Sequence, residues 1–113
     1  MEGAVIKLAM RKVKPGEESH LREWMAQLNS RRSEVLATFQ QEGVRHELAY
    51  LIDGADGPVL IYAMEAADHE QAGAAYAQSS LPIDAEHRRI MKQVLGDRVP
   101  SELLYECQSK AAF

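Results

Sequence analysis

VRHELAYLIDGADGPVLIYAME, residues 44–65, reads as a β-hairpin. Val44, His46, Leu48, Tyr50 and Ile52 alternate with Arg45, Glu47, Ala49 and Leu51, the two-residue period of a strand. A second run from Val59 to Glu65 alternates in the same way. Between them Asp53-Gly54-Ala55-Asp56-Gly57-Pro58 is built almost entirely of turn formers.

The pattern on either side of the hairpin changes to helix. Upstream, apolar residues at 21, 24, 25, 28, 35, 36 and 39 form one helical stripe, which predicts a single long amphipathic helix from about Glu17 to Glu42. Lys14-Pro15-Gly16 breaks the chain before it, and Gly43 suits a left-handed helix end. An apolar strand pattern, Ala4 to Arg11, precedes that break. Downstream, Asp68 has the character of an N-cap with Gln71 three residues on, and a short Ala-rich helix follows. Ser79 to Pro82 interrupts it. A further helix then carries Ile83, His87, Ile90, Met91 and Val94 on one stripe and ends at Gly96. A last strand pattern, Glu102 to Gln108, closes the chain, with Cys107 as a small packing residue within it. The order is β-α-β-β-α-β, which predicts an α+β ferredoxin-like sandwich: a four-stranded antiparallel sheet with helices on one face.

At 113 residues the chain suits one domain, 1–113, with 109–113 as a frayed tail. Its 46% hydrophobic and 27% charged residues are ordinary globular values. A net charge of −4 argues against a nucleic-acid partner, which would need a basic face. No run is apolar for long enough to span a membrane, and no signal peptide is recognisable. One cysteine excludes an internal disulfide and a thiolate zinc cluster, and cytoplasmic localisation is the expectation. Both faces of the hairpin are apolar, whereas helices cover only one. The other, expected to include Leu51, Leu60, Tyr62 and Met64, calls for a partner, and a homodimer through the sheet face is predicted.

The stretches KLAMRKVKPG (7–16), EGVRHELAYL (42–51), GPVLIYAME (57–65) and LPIDAEHRRIM (81–91) resemble the dimeric α/β-barrel superfamily. Within it the chain is most similar to small bacterial conserved-domain proteins without an assigned function. The superfamily holds cofactor-free monooxygenases, haem-degrading oxygenases, lactone isomerases and sugar mutarotases. The resemblance implies a dimeric α/β barrel with a site between sheet and helices. Leu21 and Met25 stand where the mutarotase Tyr and His would align, and the Asn-Trp-His set of the haem-degrading oxygenases has no counterpart here.

The candidate site residues are polar groups on apolar stripes. On one continuous helix Arg32 falls among Leu28, Val35, Leu36 and Phe39. It is read either as an anion site facing the pocket or, if the helix breaks at Asn29-Ser30, as a charge turned to water. His87 lies between Ile83, Ile90 and Met91, with Asp84 placed to orient or charge it. It is either a general acid or base or a satisfied core histidine. If the hairpin pairs Ile52 with Val59, His46 faces Glu65. That pair is either a proton shuttle on the helix-covered face or a structural cross-strand contact. Trp24, Tyr50 and Tyr76 are candidates to line a pocket for a small-molecule ligand. The spacing matches no metal motif, and there is no phosphate loop or nucleophile elbow, so neither metal nor cofactor is predicted. The functional expectation is a cofactor-independent small-molecule enzyme of isomerase, mutarotase or monooxygenase type. The alternative is a binding or structural homodimer without chemistry.

Overall fold

The computed structural model describes residues 4–109. Its elements are β1 (Val5–Val13), α1 (Glu18–Ser30), α2 (Arg32–Glu42), β2 (Val44–Gly54), β3 (Gly57–Ala66), α3 (His69–Gln78), α4 (Pro82–Val94) and β4 (Leu95–Arg98). The strands form one antiparallel sheet in the order β2-β3-β1-β4, and the fold is ferredoxin-like.

The expected long helix is two helices. Asn29 and Ser30 are weak helix formers, and the Ser30 hydroxyl donates to the Gln27 carbonyl at 2.8 Å. Arg31 then leaves helical geometry (φ −108°, ψ 45°), and its guanidinium is held by Glu34 and Glu86 at 2.7–2.8 Å. Those carboxylates raise the Arg31 pKa, and Arg31 lowers theirs. The break rotates α2 and turns Arg32 to solvent. Three expected ends hold: Gly43 closes α2 at φ 73°, the Asp68 carboxylate accepts from the Gln71 N–H at 3.0 Å, and Pro82 opens α4.

The last strand is not where the alternation of residues 102–108 places it. The chain passes from Val94 straight into β4, which pairs Leu95 with Val13 and Arg98 with Arg11. Gly96 lies inside this strand rather than ending a helix, and its carbonyl accepts from Arg11 Nε at 2.8 Å. Val99 donates to the Met10 carbonyl at 2.9 Å, and the ladder then meets Pro100, which has no N–H to give. Residues 99–109 form no regular structure. Leu103, Leu104 (83% exposed) and Tyr105 face water, and Cys107 is exposed rather than packed.

The hairpin register pairs Ile52 with Val59 and His46 with Glu65. A bulge at Arg45 sits between the Val44 and His46 pairings. This register reverses the expected faces. Leu60 is buried against Trp24, Leu21, Val94, Ile83 and Ile90, with Leu51 and Tyr62 packed on that cluster, while Met64 joins Val44, Ala66 and Ala72. The residues expected to be open are therefore the helix-covered ones. The open face carries Ile6 and Leu8 from β1, Ile61 and Ala63 from β3, and Leu48, Tyr50 and Ile52 from β2.

Candidate active site

Sheet and helices do not close completely on each other. Ala49 is on the helix-covered side of β2 but remains exposed, because α2 stands off this edge strand. The gap is a cleft of about 580 Å³ bounded by α1, α2 and β2. A second cleft of about 370 Å³ lies between α3, α4 and the sheet. Glu47 and Tyr62 line both, so the two clefts meet at these side chains.

A directed hydrogen-bond chain ends at Tyr62. Trp24, 1% exposed, donates Nε1–H to His87 Nδ1 at 2.8 Å, and His87 Nε2 lies 3.3 Å from the Tyr62 hydroxyl. An indole N–H only donates, so Nδ1 must be an unprotonated acceptor. His87 is then the neutral tautomer with its proton on Nε2, directed at Tyr62. Burial pushes the His87 pKa down to about 4, against an opposing pull from Asp84. With its oxygen accepting from His87, Tyr62 keeps its own proton to donate into the clefts. Burial and the neighbouring Glu47 charge raise the Tyr62 pKa well above the usual phenol value. Tyr76 packs edge-on to His87 at 5.8 Å and lines the second cleft. Arg88 fixes it in place by donating to the Tyr76 and Ser79 carbonyls at 2.6 and 3.0 Å.

Carboxyl groups supply the other half of the site. Desolvation pushes both Glu42 and Glu47 up to about 7. Thr38 Oγ1 lies 3.0 Å from Glu42 and 2.6 Å from Asp84, all three buried. A hydroxyl has one proton, so Thr38 donates to only one carboxylate; the second contact requires a protonated carboxyl. Burial raises the Glu42 pKa, which favours Glu42 as the carboxyl that carries this proton. Asp84 is thus engaged by Thr38 and makes no hydrogen bond to His87, acting on it only through space. Among the described residues no group of three His, Cys, Asp or Glu side chains is placed to hold a metal ion.

The remaining candidates lie apart. His46 and Glu65 are cross-strand partners on the open face, not on the helix-covered face, although His46, on the edge strand, also lines the larger cleft. They share no hydrogen bond, and Glu65 pairs instead with Arg45 at 3.6 Å. Tyr50, 56% exposed, is on the open face as well. Arg32 is exposed at the rim of the larger cleft. His69, at the start of α3, contacts the Val5 carbonyl at 2.6 Å. Sequence reasoning brought out Trp24, His87 and Asp84 but missed Glu47, Tyr62, Glu42 and Thr38. The available signal was Glu47 itself. Once its side of β2 is known to be the covered one, a carboxyl beside Ala49 and Leu51 is the anomaly.

Two measurable consequences follow from this site. His87→Ala strips the partner from a buried indole N–H and leaves a cavity, so it should cost about 2–4 kcal/mol of stability. Chemical denaturation checks this, and an unchanged midpoint would contradict the buried chain. Stability should also fall as pH rises. Glu42 and Glu47 have raised pKa values, so their contribution is present below about pH 4.5 and lost as pH passes through about 7. His87 has a depressed pKa, so its contribution is present above about pH 6.5 and lost as pH falls towards about 4. Between about pH 5 and 6.5 the folded chain therefore holds two extra carboxyl protons and lacks one imidazole proton. Melting temperature should be higher near pH 5 than at pH 8. In the Glu42→Gln/Glu47→Gln double variant the His87 contribution remains and the slope should reverse.

Comparison with known proteins agrees with the architecture. None of the curated proteins compared with the chain matches it. An uncharacterized NIPSNAP-like domain protein from Burkholderia xenovorans superposes with a TM-score of 0.60 at 12% identity, covering 98% of this chain and 92% of that one. A dimeric protein of unknown function and ferredoxin-like fold from Bacteroides fragilis gives 0.53 at 15% identity, covering 87% and 92%. A protein described as a candidate antibiotic biosynthesis monooxygenase from Nitrosomonas europaea gives 0.53 at 13%, covering 93% and 94%. At these identities the likeness is one of fold. The sequence itself matches a family model over residues 5–110, and the chain belongs to that family, the family of unknown function DUF6176.

Proposed function

We propose that this chain is a cofactor-independent acid–base enzyme acting on a small carbonyl compound, of the isomerase type. The observation that carries the reading is the meeting of Glu47 and Tyr62 where the clefts join. One is a carboxyl with a pKa of about 7, and the other a phenol whose proton is directed outward by the Trp24–His87 chain. A base is most effective when its pKa lies near working pH. Glu47, as carboxylate, removes a proton from the carbon next to the substrate carbonyl. The C–H electron pair moves into the new C=C bond, and the carbonyl π pair moves onto oxygen. The Tyr62 O–H donates a hydrogen bond to that developing oxyanion. Return of the proton from Glu47 to the same carbon, or to its neighbour in the conjugated system, completes an exchange or an isomerisation. His87 is a positioning residue in this scheme, since both ring nitrogens are engaged.

The same reading includes a homodimer. The open face presents Ile6, Leu8, Leu48, Tyr50 and Ile52 side by side, an exposed apolar surface of the kind that partners cover. The fold-mate from Bacteroides fragilis is described as dimeric. A two-fold pairing of this face covers both copies at once.

The test is exchange of α-protons for deuterium in D₂O, followed by proton NMR. The panel comprises 1,3-diketones, 2-oxo acids and 4-oxo acids. Exchange with at least one class should exceed the buffer rate and fall in Tyr62→Phe by about 10²–10³-fold. Exchange at the buffer rate with every class would overturn the acid–base reading.

A further inference from the structure

The chemistry of the larger cleft is uneven in a way that bears on what enters it. Its walls are apolar, built from Met25, Leu28, Val35, Leu36 and Phe39. Several of these remain partly solvent-exposed because α2 stands off β2, so the cleft is unfilled apolar surface rather than core. The ionisable basic and acidic side chains lining it are Arg32, Arg45, His46 and Glu47, with His46 on the edge strand beside Arg45. Glu47 is at the junction with the second cleft. Arg45 is engaged by Glu65 across the sheet edge. Arg32 makes no ion pair or hydrogen bond among the described residues, and Asn29 stands on the same rim with a neutral amide.

We infer that the cleft takes an anionic amphipathic molecule, a carboxylate with an apolar body, whose carboxylate is bound by Arg32 while its body lies on the α1–α2 wall. This rests on the acid–base reading only in assigning the far end of the molecule, which reaches Glu47 and Tyr62. The substrate class is then an apolar oxo acid, with its carboxylate at one end and its reacting carbonyl at the other. A guanidinium suits this role because its planar fork matches a carboxylate, and at an open rim it does so without a buried, unpaired charge. A volume of about 580 Å³ is within the range of small-molecule sites. Placing the anionic group at the rim also keeps it away from Glu47, where two negative charges would repel.

The test uses octanoate and octanamide, which share an apolar body and differ in charge, with binding followed by calorimetry. Octanoate should bind wild type at least about 10-fold more tightly than octanamide, and added salt should narrow the gap. Arg32→Met should abolish the preference, and Arg32→Lys should restore part of it. Arg32 is an exposed side chain at the start of α2, so these variants should keep the wild-type near-UV circular dichroism. Equal binding of the two probes, no binding of either, or a preference that survives Arg32→Met would overturn the inference. Glu47→Gln separates it from the acid–base reading: octanoate binding persists in that variant while proton exchange is lost. Failure of exchange with Arg32-dependent octanoate binding intact would remove the catalytic reading alone.

Discussion

Glu47→Gln should abolish proton exchange, by about 10²–10⁴-fold, the range a positioned general base contributes. The substitution preserves shape and removes only the ability to take a proton, so the clefts and the Trp24–His87–Tyr62 chain should persist. At pH 8 the variant should be as stable as wild type or more so, because the wild-type carboxyl must be charged there in a desolvated place. Loss of exchange with stability kept distinguishes catalysis from architecture. The wild-type rate should rise with pH through about 7 as Glu47 becomes a carboxylate, then level off. A pH-independent rate, or full exchange in Glu47→Gln, would show that the proton goes elsewhere.

A second large effect is expected on the open face. Leu48→Glu and Tyr50→Glu each place a carboxylate in the middle of the apolar surface. In a two-fold pairing every such change appears twice, and burying an unpaired charge costs about 3–5 kcal/mol. The dimer should therefore weaken by at least about 10²–10³-fold, so that sedimentation at low micromolar concentration reports monomers where wild type reports dimers. Within one subunit both side chains already face water, so the subunit should still fold. Its melting temperature should fall only by what dimerisation contributed through mass action. A wild type that sediments as a monomer, or a Tyr50→Glu variant as dimeric as wild type, would assign this face another role.

Part of this was legible in the one-dimensional pattern, for identifiable physical reasons. Alternation with period two and stripes near period 3.6 report local geometry, so the hairpin, the helical segments and their order were readable. Caps are local too, which is why Gly43, Asp68 and Pro82 stand where expected. The pairing of His46 with Glu65 followed from the hairpin register. Which face the helices cover did not follow. Both faces of β2 and β3 alternate apolar residues, and the choice depends on packing against Trp24 and α4 from distant parts of the chain. A helix break at Asn29-Ser30 was an available alternative; it falls at Arg31, where it is secured by Glu86, 55 residues away.

The site shows the same division more sharply. A histidine at position 87 and a carboxylate at 84 could be singled out as exceptions on an apolar stripe, because that is a property of one helix. Their roles could not. The neutral tautomer of His87 depends on an indole from α1 and a phenol from β3, and the raised pKa of Glu42 depends on burial and then on Asp84 from another helix. Strand 102–108 failed for a related reason: alternation states that a segment suits a ladder, whereas residues 95–99 had already taken the edge and Pro100 ended it. The elements, their order and the antiparallel hairpin are legible in the local pattern, since these depend on neighbours in the chain. Which face is covered, which carboxyls are desolvated and which hydroxyl aims its proton outward are settled by packing, because desolvation and hydrogen-bond direction arise only when distant side chains meet.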